Sequence, residues 1–457
     1  VLFRFAVFVL LALSAAAQNL PEPPVPEPPP MLGPTPQSTP DLTSILVAPP
    51  PPPPGFRGSP QDAIRVLLGL FALFGLAYLG GHPRVKELER RLNVTHLVTA
   101  GLPFVLLGLL ASQPAVGILS DSVLYELRPL LVLGLGWIGF AVGFRFDAQL
   151  VKSTWPGVGS VVALTSAWPF ALVFLVCGAM LWTTEASAGP FVFLRDGLIL
   201  GAAGAMTAAT ATDALTSEGS VQRIRTVVQW EELTAVIGLM LLAAYFRSGG
   251  VTAWQLPGTA WLFITIGMGA TMGAVVYASL GRISKGPEFI VVMLGSVSFT
   301  AGMASFLRLS PVAVCFIAGA ILVNLPGGPK EQVRDALNHL ERPIYLLFLI
   351  VAGSLWRVGQ WQGWALMVLF VAARLGGKWL GMAMLRRGRN PELNAEEQRS
   401  LVLSPLGALS IAIVVSAEDL YYSTTIPWIV TAVIAGAIVT EVIVQASTRG
   451  SAVPAES

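Results

Sequence analysis

From residue 62 to residue 446 the chain alternates between long apolar runs and short polar breaks. The runs lie near 62–81, 94–111, 126–146, 159–184, 192–216, 224–246, 257–280, 287–307, 311–326, 342–356, 363–385, 399–418 and 426–446. A helix rises about 1.5 Å per residue, so about 20 apolar residues cross a hydrocarbon layer of about 30 Å. The pattern predicts an all-α integral membrane protein of about 13 transmembrane helices, with runs 311–326 and 342–356 short for a span. Two runs differ in texture. Residues 201–219 read GAAGAMTAATATDALTSEG, rich in Gly, Ala and Thr, with Thr210, Thr212 and Asp213 together. Residues 403–419 read LSPLGALSIAIVVSAED, where Pro405 and Gly407 interrupt the start of the run. Broken or small-residue segments at corresponding places in two halves of a transporter mark its binding site, because unwound backbone offers carbonyls and half-helix ends to an ion. The plainer alternative is that small residues simply let helices pack closely.

Charge between the runs sets an orientation. Alternate breaks carry Arg84, Lys86, Arg90 and Arg91; Arg145 and Lys152; Arg223 and Arg225; Arg282 and Lys285; Lys330, Arg334 and Arg342; and Arg386, Arg387, Arg389 and Arg399. The opposite breaks hold about one arginine each: Arg128, Arg195, Arg247, Arg308 and Arg357. Basic loops stay in the cytoplasm, which puts the N-terminus outside and the C-terminus inside a plasma or inner membrane. The start of the chain agrees. Residues 1–17 read as a signal peptide, with Arg4, a short apolar core and Ala15–Ala17 as a cleavage site. Residues 18–60 are a Pro-rich segment, six prolines in a row at Pro49–Pro54, expected to be a disordered exported linker.

Composition narrows the function classes. Charged residues make up 12% of the chain, half of what a soluble protein carries, and mean hydropathy is +0.70. A net charge of +2 says nothing by itself about a nucleic-acid partner, and none is expected. Cys177 and Cys315 sit far apart in apolar runs and read as packing residues, and His82, His96 and His339 have no ligand-spaced partner, so no cofactor and no resident metal are implied. Gly134, Gly136 and Gly139 match G-x-G-x-x-G, but inside a span with no strand before it. They read as helix-packing positions, as do Gly269/Gly273 and Gly377/Gly381. No Ser/His/Asp constellation lies in the spans, so an enzyme is not expected.

The chemistry is carried by charges inside the spans. Each costs about 2.5–3.5 kcal/mol at a helix centre on insertion scales, so it persists when paired, hydrated or used. Run 224–246 contains Glu231 and Glu232 side by side; run 363–385 contains Lys378, with Arg374 four residues earlier on the same face. Counted from Arg225, the glutamates lie about 9–10 Å into the membrane; counted from Arg386, Lys378 lies about 12 Å in from the same side. At matching depth one glutamate can meet Lys378 while its neighbour, turned about 100°, faces a water-filled path. The alternative is that these long side chains snorkel to the interface.

In order along the chain stand TAATATDAL, QWEELTAV, CFIAGAIL, RPIYLLFLIVAGSLW, RLGGKWLG and LSPLGALSIAIV. This series resembles the monovalent cation:proton antiporter-2 family, of sodium/proton antiporter fold, over roughly residues 62–446. The resemblance implies an inverted-repeat fold with two discontinuous crossing helices. It implies a panel with the homodimer interface in residues 62–156 and 287–360, an ion-translocating core in 157–248 and 361–446, a linking helix at 257–280 and a short cytoplasmic tail at 447–457. It places the cation and proton site at Glu231 and Glu232, with Glu232 the carrier, Lys378 the partner of Glu231, and Thr212 and Asp213 at a Thr-Asp pair of related antiporters. The family usually has Asp where Glu232 stands. The expected function is exchange of Na⁺ or K⁺ for protons by competition at these carboxylates. The alternatives are a solute symporter on the same fold, or a membrane sensor or scaffold working through the Pro-rich tail.

Overall fold

The computed structural model describes residue 75 and residues 101–113, 121–148, 154–184, 189–212, 215, 217–247, 256–282, 286–327, 330–387, 393–421 and 423–451. The expected signal peptide, the linker and, residue 75 apart, the first run at 62–81 lie outside the described residues. The helices are α1 (Leu102–Ser112), α2 (Asp121–Glu126), α3 (Arg128–Phe144), α4 (Val158–Thr184), α5 (Gly189–Ala205), α6 (Glu218–Tyr245) and α7 (Gly258–Leu280). They continue with α8 (Pro287–Phe306), α9 (Pro311–Asn324), α10 (Lys330–Ser354), α11 (Trp361–Arg387), α12 (Ala395–Val402), α13 (Ala408–Leu420) and α14 (Ile426–Ser451). The protein is all-helical among the described residues, and each predicted span from the second onward has its helix or pair of half-helices.

Two spans depart from their expected limits. Run 342–356 is the second half of α10, which begins at Lys330. Its first half, KEQVRDALNHLER, turns Val333, Ala336 and Leu337 inward and its charges outward, so it is an amphipathic helix where the sequence reads as a loop. α6 starts at Glu218, six residues before the apolar run, because its polar first turns are still helical.

Packing divides the helices into two sets. α3 lies along α9 and α8, α1 along α10, and α7 along α9. In the other set α4 lies along α11 and α5, α11 along α14, and α5 crosses α13. The sets meet where α6 touches α7 and α9, and where α13 touches α3 and α9. Lipid is as apolar as leucine, so close backbone approach rather than hydrophobic burial holds such helices together. The glycine pairs show it. A Cβ on Gly139 or Gly143 would collide with the α9 backbone at Val312 and Phe316, and one on Gly136 with Ala301 of α8. A Cβ on Gly269 would sit 2.6 Å from the Ile317 Cβ, and one on Gly273 would meet the Ala318 carbonyl at 2.7 Å. Gly377 and Gly381 let α11 close onto α4 at Pro169 and Leu164. Cys177 and Cys315 are free thiols buried in separate clusters.

Candidate ion-binding site

The site is built on two interrupted helices. α5 stops at Ala205, Met206–Ala208 are irregular, and a single 3₁₀ turn follows at Ala209–Thr212. α12 stops at Val402, residues 403–407 are irregular, and α13 starts at Ala408 with Gly407 as its N-cap. The two breaks touch: the Ala208 amide donates to the Pro405 carbonyl at 3.1 Å, and Ser410 Oγ donates to the Ala203 carbonyl at 3.0 Å. Proline cannot continue the hydrogen-bond ladder, so Pro405 ends the helix and leaves its carbonyl for the neighbour.

Interrupting helices within a membrane leaves carbonyls that must find donors. Arg374 supplies them. Its guanidinium, with no exposed surface, donates to the carbonyls of Met206 (2.8 Å), Ser404 (2.9 Å) and Pro405 (3.2 Å). It therefore ties both breaks together, and as a cation at the C-terminal ends of α5 and α12 it also opposes their negative dipole ends. Among the described residues Arg374 makes no ion pair; the charge partner expected from sequence is a backbone staple, because two helix ends converge on it.

One turn along α11, Lys378 meets Glu231. Its Nζ lies 3.0 and 3.2 Å from the two carboxylate oxygens and donates to Thr207 Oγ1 at 2.8 Å. Thr165 of α4 donates to Glu231 Oε1 at 2.7 Å. Glu231 is 2% exposed and Lys378 1%. A charge pair so buried survives only with its remaining lone pairs and protons hydrogen-bonded, which Thr165 and Thr207 accomplish.

Glu232 points elsewhere. Adjacent residues on α6 diverge by about 100°, so with Glu231 turned to α11, Glu232 turns to the opposite set of helices. It lines a cavity of about 410 Å³ between α3, α10, α13 and α14. Arg145, Glu341 and Arg342 line the same cavity, with Arg145 and Glu341 paired at 2.6 Å and both near enough for their charges to act on Glu232; Glu441 of α14 lines its wall. Gly407 and Ala408, where α13 begins, border it, so a helix N-terminus and an irregular backbone segment lie on the same cavity as the carboxylate. Among the described residues, Glu232 Oε2 is buried without a hydrogen-bond partner, as is the indole Nε1 of Trp137 in the cavity wall.

Of the other predicted residues, Thr212 ends the 3₁₀ turn and accepts the Leu215 amide at 3.1 Å through its carbonyl. Thr210 lies within that turn, and Asp213 falls outside the described residues. Sequence reading missed Thr165, whose only signal is a Thr-Ser pair in an apolar run, and Thr207, inside the Thr-rich stretch but not singled out. It also missed Glu441, which the rule for charges within spans identifies as readily as Glu231. The same rule applies to Arg195 and Asp196, an ion pair within α5 that Thr425 completes by donating to Asp196 Oδ2. Among the described residues no group of three or more His, Cys, Asp or Glu side chains is placed to hold a resident metal.

At the other end of α3, about 25 Å from Arg145 at 1.5 Å per residue, Arg128 reaches Asp419 near the end of α13. Its Nε and Nη2 each lie 2.6 Å from Oδ1, and Nη2 donates to the Asp419 carbonyl at 3.3 Å. This pair joins the two helix sets.

Comparison with known proteins adds three findings. Residues 90–450 match the family described as sodium/hydrogen exchanger, transmembrane. No curated protein matches the sequence. The structure of the sodium proton antiporter MjNhaP1 from Methanocaldococcus jannaschii is similar with a TM-score of 0.58, covering 85% of this chain and 97% of that one at 15% identity. At that identity the likeness establishes the fold.

Proposed function

The chain belongs to the sodium/hydrogen exchanger family, and from that footing we propose that it exchanges a monovalent cation for protons by letting the two compete for Glu232. One observation carries this reading. Of two adjacent carboxylates, Glu231 is neutralised by Lys378, while Glu232 faces a cavity with one oxygen unpartnered. A carboxylate left without a partner in a low-dielectric site is expensive, so it takes up either a proton or a cation, and the two exclude each other. Sodium is the first cation to test, since MjNhaP1 is by name a sodium proton antiporter. The supporting test is a dye-reported proton gradient in everted vesicles, challenged with Na⁺, Li⁺ and K⁺ in turn. Dequenching by one or more of them, absent from vesicles without the protein, is expected; silence toward all three across the neutral pH range, with the protein in the membrane, would refute the proposal.

In this reading the cavity reaches the basic cytoplasmic side at Arg145 and Arg342, and α4–α6 with α11–α14 move as a core against α1–α3 and α8–α10. Homodimer assembly through the latter set belongs to the same proposal. The Arg128–Asp419 pair then closes the outer end and must part once per cycle. Its arginine is one-third exposed, which keeps its worth within the about 0.2–1 kcal/mol of solvent-screened pairs. Asp419→Asn is expected to quicken amide hydrogen exchange at the start of α3 and the end of α13, by up to about fivefold on that energy scale. Unaltered exchange at both places would count against the latch.

A further inference from the structure

A cavity of about 610 Å³ opens between the end of α11 and the short helix α12, away from the Glu232 cavity. Its wall is apolar, formed by Trp379, Met382 and Val402 among others, and two arginines, Arg386 and Arg399, stand over it. Trp379 is 64% exposed on the outward face of α11. Indole rings and arginines concentrate where hydrocarbon gives way to headgroups. The end of the bundle is the same one that carries Arg145 and Arg342.

The two cations are presented differently. Arg386 donates from Nε to Gln398 Oε1 at 2.6 Å, which fixes the guanidinium plane; among the described residues its terminal nitrogens hold no other acceptor. Arg399, in the last turn of α12, makes no side-chain hydrogen bond or ion pair among the described residues and is exposed. Glu396 borders the cavity too, on the first turn of α12, so the lining keeps an excess of one positive charge. α12 itself is anchored at its start. Glu397 is fully buried, caps the helix by accepting the Asn394 amide at 2.8 Å, and pairs with Arg223 of α6 at 2.6 Å. An apolar slot beneath two forked cations, on a fixed wall at the membrane boundary, matches a molecule with an anionic phosphate at one end and an acyl chain at the other.

We propose that this cavity is a binding site for an anionic glycerophospholipid, its phosphate held by Arg386 and Arg399 and an acyl chain laid along Trp379, Met382 and Val402. The site has a route to the transport machinery. Leu403, the first residue of the irregular segment that leads to Pro405 and Gly407, lines the same cavity, and Ser400 of α12 donates to the Ala211 carbonyl in the other break. A bound lipid therefore braces the half-helix from which the crossing hangs.

The test uses the purified full chain in detergent, its melting temperature followed as phosphatidylglycerol, phosphatidylcholine or inorganic phosphate is added. Phosphatidylglycerol alone is expected to raise the melting temperature. A basic residue near a membrane surface contributes about 1 kcal/mol toward an anionic lipid, or about fivefold in affinity, so R386Q/R399Q should need about thirtyfold more lipid for the same rise and R399Q about fivefold more. R387Q, which alters an arginine outside the cavity lining, should respond as the wild type does. R399Q also protects the test against misfolding, since that side chain bonds to nothing else described. The proposal fails if the wild type ignores phosphatidylglycerol, or if phosphatidylcholine or inorganic phosphate stabilises it equally. It fails also if R399Q binds the anionic lipid undiminished. Because the readout is binding rather than transport, its outcome is independent of whether Glu232 exchanges ions.

Discussion

Glu232→Gln is expected to bring cation-driven proton release in everted vesicles down to the level of vesicles without the protein, a complete loss. The substitution keeps the shape of the side chain and removes its charge. An amide cannot take up the transported proton at neutral pH and offers a cation only a dipole, so both halves of the competition disappear together. Stability should not fall with it. Glu232 Oε2 has no hydrogen-bond partner to lose, and withdrawing a buried charge is, if anything, favourable. An inactive variant that melts no lower than the wild type therefore separates a missing site from a damaged fold. Glu232→Asp is the control that isolates the carboxylate, because Asp is the residue usual at this place in the family the sequence resembles, and it should retain exchange. Full activity in a well-expressed Gln variant would remove Glu232 from the mechanism and turn attention to Glu231 and Glu441, the remaining buried carboxylates nearby.

The second large effect is on stability. Lys378→Met should lower the melting temperature of the purified protein by the equivalent of about 3–5 kcal/mol, the loss typical when one partner of a buried ion pair is removed. The reason is what remains behind. Glu231 would be left at 2% exposure with Thr165 as its hydrogen-bond partner among the described residues, and Thr207 would lose the ammonium it accepts from. The double variant Glu231→Gln/Lys378→Met removes both charges and should recover most of the loss, since a buried pair is worth little against neutral residues of similar volume. Equal melting temperatures for wild type and Lys378→Met would show that the pair is not bonded as described. A double variant no better than the single one would place the cost in packing rather than in the stranded charge.

These two predictions rest on neighbours in sequence with opposite situations. Glu231 is paired with Lys378, whereas Glu232 lines a cavity with one oxygen unpartnered among the described residues. The pair Glu231–Lys378 and the staple at Arg374 hold α6, α11 and the two breaks as one body, and that leaves Glu232 presented on the face toward α3 and α10.

Among the described residues, the sequence by itself determined where the apolar helices run, the two interruptions and the presence of buried charge. Hydropathy is a local property, legible in a run of about twenty residues, and so is the inability of Pro405 to carry a helix onward. Relative level along the helices was legible too, since rise per residue is constant: Glu231 and Lys378 stand at matching levels and they meet. Rotation about each helix axis was not legible. A turn of about 100° decides whether a side chain faces lysine or cavity, and that angle depends on which helices lie alongside. Rotation left open which glutamate meets the lysine; the family resemblance gave Glu231, and the structure has Glu231 bonded to Lys378. Only the tertiary structure decided that Thr165 and Thr207 complete the pair and that Glu232 looks onto a cavity shared with Arg145 and Glu341. Arg374 shows the limit most clearly. The sequence put it on the face of Lys378 as a charge-pair residue, but the carbonyls it holds become acceptors only once two distant helices break at the same point in space.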